Sequence, residues 1–118
     1  MTLTAKDASR RTRVICALAP IVPVLVIEDA AHARALAEAL VAGGLPALEV
    51  TLRTPAALDA IAAMAEVTGG HVGAGTLITP EDVRAAKRAG ATFGVSPGAT
   101  DALIAACEEE DLPFFFFF

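Results

Sequence analysis

The chain alternates short apolar runs with longer segments in which apolar residues recur at helical spacing. The apolar runs predict strands at residues 21–27, 47–52, 72–75 and 92–96, with a last strand from about residue 112. Helical spacing predicts helices at residues 7–19, 30–42, 54–70, 79–90 and 100–110. This alternation is typical of parallel βαβ units with right-handed crossovers.

Helix-start signals support these boundaries. Thr79-Pro80-Glu81-Asp82 places a capping hydroxyl, a proline and two acids in the order expected of a first turn. Asp29 is predicted to cap the helix at residues 30–42, and Thr54-Pro55 to open the helix that follows the second strand. Apart from the lead-in helix at residues 7–19, each predicted helix therefore begins shortly after a predicted strand.

Two architectures fit this pattern. A small doubly wound sheet of five strands is complete in 118 residues. A (β/α)8 barrel typically needs about 250 residues, so this length would supply only its first half. That half would hold a lead-in helix, about four βα units and the start of strand 5.

The segment Leu48–Thr54 favours the barrel. Its alternation places Glu49, Thr51 and Arg53 on one face of a strand whose neighbours are almost wholly apolar. Polar groups on a buried face are costly unless they are paired or do chemistry. Inward-facing functional groups near the C-terminal rim are a barrel feature. Glu49 and Arg53 lie four residues apart, which is roughly 13 Å along a regular strand. This distance is too long for a salt bridge between them, so each is predicted to have a partner of its own.

Composition narrows the function classes. The net charge of −5, with no basic run, argues against a nucleic-acid partner. No apolar run approaches the roughly 20 residues of a membrane span, and no secretory signal is evident, so a cytoplasmic protein is expected. Cys16 and Cys107 have no partner at metal-ligand spacing and are predicted to be buried free thiols, so no metal site is expected.

Glycines in the third predicted strand suggest a dinucleotide site, but the rest of the motif argues against one. Gly73-Ala74-Gly75-Thr76 resembles the start of a dinucleotide fingerprint, but Ile78 stands where the third glycine belongs. No acid follows to hold a ribose. We expect no cofactor, and we expect Thr76 to present its hydroxyl at the strand end.

The last five residues are all phenylalanine, and only Phe93 precedes them. Such a run has high β-propensity and no charge, which is typical of aggregation-prone segments. We therefore divide the chain into residues 1–113, the half-barrel, and residues 114–118, an anomalous terminus. The run occupies the place expected for strand 5, and we interpret it as a truncation or an artificial end.

Five blocks in order and spacing resemble one family over about Val14–Pro113. They are Pro23–Val26, Ala42–Gly44, Leu48–Thr54, Val72–Thr76 and Val95–Gly98. Together they resemble the N-terminal half of the KDPG/KHG aldolases, which act on 2-keto-3-deoxy-6-phosphogluconate or 4-hydroxy-2-oxoglutarate. The resemblance implies a homotrimeric (β/α)8 barrel and a metal-free class I aldol cleavage to pyruvate and an aldehyde.

The resemblance also implies residue roles. Glu49 matches the carboxylate that shuttles protons, and Arg53 matches the residue that binds an anionic group of the substrate. Thr76 matches a substrate-contacting hydroxyl, and Pro97 matches a turn that lines the pocket. In the family a lysine forms a Schiff base with the 2-keto acid.

That lysine has no counterpart in this sequence. The two lysines, Lys6 and Lys87, fall in the polar N-terminal segment and on a predicted helix, away from any strand end. Two function classes therefore stay open. One is an aldolase half that is inactive alone, and the other is a non-catalytic α/β module that binds a small anion or a partner chain.

Overall fold

The computed structural model describes residues 2–116 of the chain. Within these residues there are five α-helices and five strands, which alternate after the first helix. The helices are α1 (Ala5–Ala17), α2 (Ala33–Ala42), α3 (Ala57–Ala65), α4 (Pro80–Ala89) and α5 (Asp101–Glu109). The strands are β1 (Val24–Leu25), β2 (Ala47–Thr51), β3 (His71–Gly75), β4 (Phe93–Ser96) and β5 (Phe114–Phe116).

Strand order decides between the two predicted architectures. The sheet runs β1-β2-β3-β4-β5, and each strand pairs in parallel with its neighbour in sequence. In a doubly wound sheet the order in which strands are added reverses at a switch point, so some neighbouring strands are not consecutive in the chain. In a barrel each strand lies beside the one before it. The chain therefore forms part of a barrel of the (β/α)8 type, and the doubly wound alternative is wrong.

The two faces of the sheet differ as a barrel requires. On one face, Leu48, Val50, Val72 and Ala74 pack with buried residues of α2–α5 in one apolar core. On the other face, Ala47, Phe93 and Val95 pack with Ile15 of α1 in a smaller cluster. This second face corresponds to the barrel interior, and α1 partly covers it.

Two of the three predicted helix starts have the expected caps. The Thr79 hydroxyl accepts from the Asp82 amide at 3.1 Å, while the Asp82 carboxylate accepts from the Thr79 amide at 3.0 Å. Asp29 accepts from the Ala31 amide and caps a short 3-10 turn that leads into α2. Each cap satisfies an amide that would otherwise lack a partner.

The third start and the first strand differ from the prediction. Helix α3 begins at Ala57, because the Thr54 hydroxyl donates to the Ile27 carbonyl instead of capping the helix. Strand β1 spans only Val24–Leu25 of the predicted seven residues, pairing with Glu49 and Val50. Proline at position 23 has no N–H to donate to a ladder, which shortens the strand.

The phenylalanine run enters the sheet. Phe114–Phe116 form β5, with Phe114 opposite Gly94 of β4, so strand 5 stands where the sequence predicts it and starts two residues later. The ring of Phe115 packs edge-on against Phe93 at a centroid distance of 5.9 Å. Residues 117 and 118 of the predicted anomalous terminus lie outside the described residues. The origin of the run stays a prediction.

The two thiols are free but differ in exposure. Cys107 is buried, as predicted, whereas Cys16 is exposed, so the prediction for Cys16 is wrong. Cys16 lies beside Ile15 on α1, and this helix turns only a narrow apolar strip toward the sheet. Across residues 2–116 no helix has the length and apolarity needed to cross a membrane.

Candidate active site

A cavity of about 530 Å³ opens at the C-terminal ends of the strands. Its walls come from β1 and the segment before it, from β2 and β4, and from the loops that follow β2, β3 and β4. The lining residues are Val22, Val24, Glu49, Arg53, Thr76, Val95, Ser96 and Pro97. All four residues predicted from the sequence as site residues therefore line one cavity.

Glu49 is the buried carboxylate of this cavity. It stands in the middle of β2 on the interior face and is 8% exposed. Its ladder partner on β3 is Gly73, and its carboxylate rests against Gly75, two residues further along β3, where a β-carbon would lie 2.8 Å from Glu49 Cδ. The absence of a side chain at Gly75 is thus what makes room for the carboxylate.

The surroundings of Glu49 raise its pKa above the ordinary value of 4.5. The larger cause is burial, which disfavours the charged form, and the positive charge of Arg53 opposes it. A carboxyl group whose pKa moves toward neutrality can both accept and return a proton near physiological pH. The prediction that the inward position of Glu49 raises its pKa is confirmed in direction.

Arg53 reaches the cavity from a turn. Strand β2 ends at Thr51, and residues 52–53 turn away, so Arg53 is an exposed side chain at the rim. The regular-strand distance therefore does not apply, and the Arg53 charge acts on Glu49. Among residues 2–116 no salt bridge joins Glu49 to Arg53, in keeping with the prediction that they do not form a structural ion pair, but the Arg53 charge is close enough to affect the Glu49 carboxyl. Thr51 does not line the cavity, since its hydroxyl donates to the Leu25 carbonyl at 3.3 Å.

Thr76 and Pro97 each follow the end of a strand. Thr76 comes directly after β3, with a positive φ of 61°, and is half-buried. Pro97 comes directly after β4 and is exposed at the rim. Parallel strands bring their C-terminal ends to one edge, which places both residues beside Glu49 and Arg53.

Neither lysine of the sequence reaches this cavity. Lys6 lies on α1 near Arg10 and Arg13, and Lys87 of α4 donates to the Asp111 carbonyl at 3.2 Å. The cavity walls built from residues 2–116 contain no amine side chain. The structure thus groups a carboxylate, a guanidinium and hydroxyls without a nitrogen nucleophile.

Sequence reasoning missed four of the lining residues, Val22, Val24, Val95 and Ser96. Val22 and Val24 line the cavity from the segment at β1, and their two-residue spacing in a predicted strand was a usable signal. Ser96 lines it from the end of β4, and nothing in the sequence distinguished its hydroxyl from that of an ordinary turn. Gly75 belongs to the Gly73–Thr76 motif, but its contact with Glu49 depends on the register of β2 and β3, which the sequence does not specify.

Comparison with known proteins identifies the family. The family model described as KDPG and KHG aldolase matches residues 13–115. The chain belongs to this family. Its match extends slightly beyond the range 14–113 predicted from the sequence blocks, and the predicted resemblance is confirmed.

Curated relatives carry the same names. A 2-dehydro-3-deoxy-phosphogluconate aldolase of Zymomonas mobilis is 61% identical over 83 residues, which are 70% of this chain and 40% of that protein. A KHG/KDPG aldolase of Escherichia coli K12 is 50% identical over 95 residues, covering 80% of this chain and 45% of the relative. The chain spans about half the length of the curated relatives it matches.

Solved structures confirm the barrel assignment. The Zymomonas mobilis ZM4 aldolase with 3-phosphoglycerate matches with a TM-score of 0.87 and 50% identity, over 91% of this chain and 51% of that one. The Legionella pneumophila KDPG aldolase, with pyruvate captured as a covalent carbinolamine, matches with a TM-score of 0.79 and 42% identity, over 85% and 49%.

Proposed function

We propose that this chain supplies half of the active site of a class I aldolase that cleaves 2-keto-3-deoxy-6-phosphogluconate or 4-hydroxy-2-oxoglutarate. The observation that carries the proposal is the single cavity shared by Glu49, Arg53, Thr76 and Pro97. Family membership and the names of the relatives support the same reaction class. The cavity lies at the strand ends where barrel enzymes do chemistry.

Glu49 is proposed to move the protons. In a class I aldolase a lysine amine forms an imine with the 2-keto carbon, and this imine accepts the electrons of the C3–C4 bond as the bond breaks. A base must take the proton of the C4 hydroxyl as the aldehyde leaves. Glu49 suits this step because burial raises its pKa toward the working pH.

Arg53, Thr76 and Pro97 are proposed to hold the substrate. Arg53 projects a guanidinium at the exposed rim, where it can bind a carboxylate or phosphate through two parallel hydrogen bonds. Thr76 offers a hydroxyl from the strand end, and Pro97 forms a rigid wall after β4. The ligands captured in the relatives, 3-phosphoglycerate and pyruvate, are anions of the kind that Arg53 would bind.

The Schiff-base lysine is proposed to come from outside this chain's 118 residues. Lys6 and Lys87 are its two lysines, and neither lines the cavity. We expect no aldolase turnover from the chain by itself. We also propose that the complete barrel assembles as a homotrimer, which light scattering of that protein would test.

The lack of an amine in the cavity also favours a second candidate function. In this alternative the chain is a non-catalytic α/β module, and Arg53 binds a small anion at the rim without any bond being broken. Both candidates predict anion binding, but only the first predicts turnover when a lysine is supplied.

The decisive experiment joins residues 1–115 to the remaining part of the Zymomonas mobilis relative and measures aldol cleavage. We expect turnover, and a fall of about 10²–10⁴-fold with Glu49→Gln, the range for a positioned acid or base. Arg53→Ala should mainly raise the apparent KM, by about 10- to 150-fold, which corresponds to a charged hydrogen bond of roughly 1.5–3 kcal/mol.

Matched variants test whether these losses are specific. Glu109→Gln and Arg13→Ala remove the same groups from exposed positions away from the cavity and should leave both constants unchanged. A hybrid that folds but shows no turnover would contradict the aldolase proposal and favour the anion-binding module. Unchanged turnover in Glu49→Gln would show that the carboxylate is not the proton shuttle.

A further inference from the structure

The loop after β3 is held in an uncommon backbone conformation. Thr76, its first residue, has a φ of 61°, in the left-handed region that β-branched residues rarely occupy. Such a residue persists only where its surroundings fix it, and it commonly marks a functional position. Thr76 lines the cavity, so what holds this loop also fixes where the hydroxyl points.

Backbone hydrogen bonds anchor both neighbours of Thr76. On one side, the carbonyl of Gly75 accepts from the Leu52 amide at 2.9 Å. On the other side, the Leu77 amide donates to the Val95 carbonyl at 3.0 Å. Thr76 therefore links two peptide groups that are each held by one backbone hydrogen bond.

Leu77 is further fixed through its side chain. It is fully buried, and its Cδ1 atom would lie 2.5 Å from a β-carbon on Gly94 of β4. The isobutyl group thus sits directly on the β4 backbone. The remaining polar group of the Leu77 backbone is its carbonyl oxygen.

The Ser96 hydroxyl meets that carbonyl. Ser96 is 3% exposed, and its Oγ lies 2.7 Å from the Leu77 carbonyl oxygen and 2.6 Å from the Gly98 carbonyl oxygen. The Gly98 amide donates to the same Oγ at 3.3 Å. A hydroxyl has one hydrogen to donate, so it serves one carbonyl at a time while accepting from Gly98. Ser96 Oγ is thus the atom shared by the two loops.

We propose that Ser96 is a positioning residue, whose hydroxyl ties the loop after β3 to the loop after β4 and holds Thr76 in its left-handed conformation at the cavity. The tie joins two walls of the site, Thr76 on one loop and Pro97 on the other. Its consequence for substrate binding rests on the proposed aldolase function. Its structural part, the control of the Thr76 backbone, does not.

The structural part is tested in the 118-residue chain by NMR. A positive φ brings the amide and α-protons of a residue close together and gives a strong cross-peak between them. We expect this signature at Thr76 in the wild type and its loss in Ser96→Ala. If Ser96→Ala does not fold, Ser96→Cys retains a weak donor of similar shape and should show a weakened signature.

The matched control removes a hydroxyl from the other end of the same strand. The Thr92 hydroxyl donates to the Val72 carbonyl at 3.1 Å, far from the strand ends that form the cavity. Thr92→Val should therefore leave the Thr76 signature unchanged. An unchanged signature in Ser96→Ala and Ser96→Cys, or an equal loss in Thr92→Val, would overturn the proposal.

The functional part is tested in the same hybrid enzyme used above. Ser96→Ala should raise KM by about 2- to 12-fold, the range for one neutral hydrogen bond, with a smaller change in kcat. Thr92→Val should change neither. Loss of the NMR signature with an unchanged KM would overturn the link to substrate binding. A wild-type hybrid without turnover would defeat the aldolase proposal, while the NMR result would still decide the role of Ser96.

Discussion

Replacement of Gly75 by alanine tests how the structure positions its buried carboxylate. Gly75 lies opposite Thr51 in the ladder and has no positive φ, so alanine suits its backbone. The difficulty is the added methyl group, which would overlap Glu49 Oε1 and lie 2.8 and 3.0 Å from Cδ and Cγ. The carboxylate must therefore leave its position.

The cost follows from two opposing effects. Overpacking a well-packed site typically costs about 1–3 kcal/mol. Replacing glycine by alanine restricts the unfolded chain, which returns about 0.4–1 kcal/mol. We expect Gly75→Ala to lower the free energy of unfolding by up to about 2.5 kcal/mol, measured by urea denaturation. In the hybrid enzyme the same variant should lower turnover, because the displaced carboxylate no longer faces the substrate.

A double-mutant cycle isolates the contact. In the Glu49→Ala background the methyl group has no carboxylate to displace, so Gly75→Ala should cost nothing or stabilise. Gly98→Ala is the matched control, since a β-carbon there meets no atom within 4 Å and its φ is not positive. An equal cost of Gly75→Ala with and without the Glu49 carboxylate would refute the reasoning.

Three further predictions concern protons, thiols and a helix cap. Burial raises the Glu49 pKa, so the folded chain holds that proton more tightly than the unfolded chain, and stability falls as pH rises from about 4.5 through the raised value. Glu49→Gln should therefore be more stable than wild type above that range and equal to it below, in denaturation series against pH. Burial also raises the Cys107 pKa to about 12, so a thiol reagent should label Cys16 alone in the native chain and both cysteines in denaturant. Thr79→Ala removes the cap of α4 and should cost about 1 kcal/mol in the same denaturation assay, and no loss would contradict its role.

Local chemistry accounts for the parts of the fold that the sequence predicted well. The capping box at Thr79 and Asp82 is set by residues three apart, and it forms as predicted. The apolar strands β2, β3 and β4 are also found where their alternation places them. Strand β1 is shorter than predicted because Pro23 lacks an N–H, a local property that the sequence already shows. Helix α3 starts later than predicted because the Thr54 hydroxyl donates to the Ile27 carbonyl, a contact between residues 27 positions apart.

The candidate site also has some features that follow from local sequence and others that depend on contacts between distant residues. The role of Glu49 as a site residue was predictable, because burying a carboxylate in an apolar strand is costly unless the group is paired or takes part in chemistry. The contact of Glu49 with Gly75 was not, since it depends on strand register, and the influence of Arg53 depends on where β2 ends. The Ser96 tie was also beyond sequence reasoning, because it joins residues 19 positions apart through a single hydroxyl. Non-local geometry, rather than residue type, is what the sequence leaves open.

The most direct test of the central claim is intact mass measurement after incubation with pyruvate and borohydride. Borohydride reduces an imine to a stable amine and so marks the lysine that forms it. We expect one pyruvate-derived addition to the hybrid enzyme, on a lysine outside residues 1–115, and none to the 118-residue chain. A stable addition to Lys6 or Lys87 of the chain, accompanied by aldol cleavage, would contradict the account.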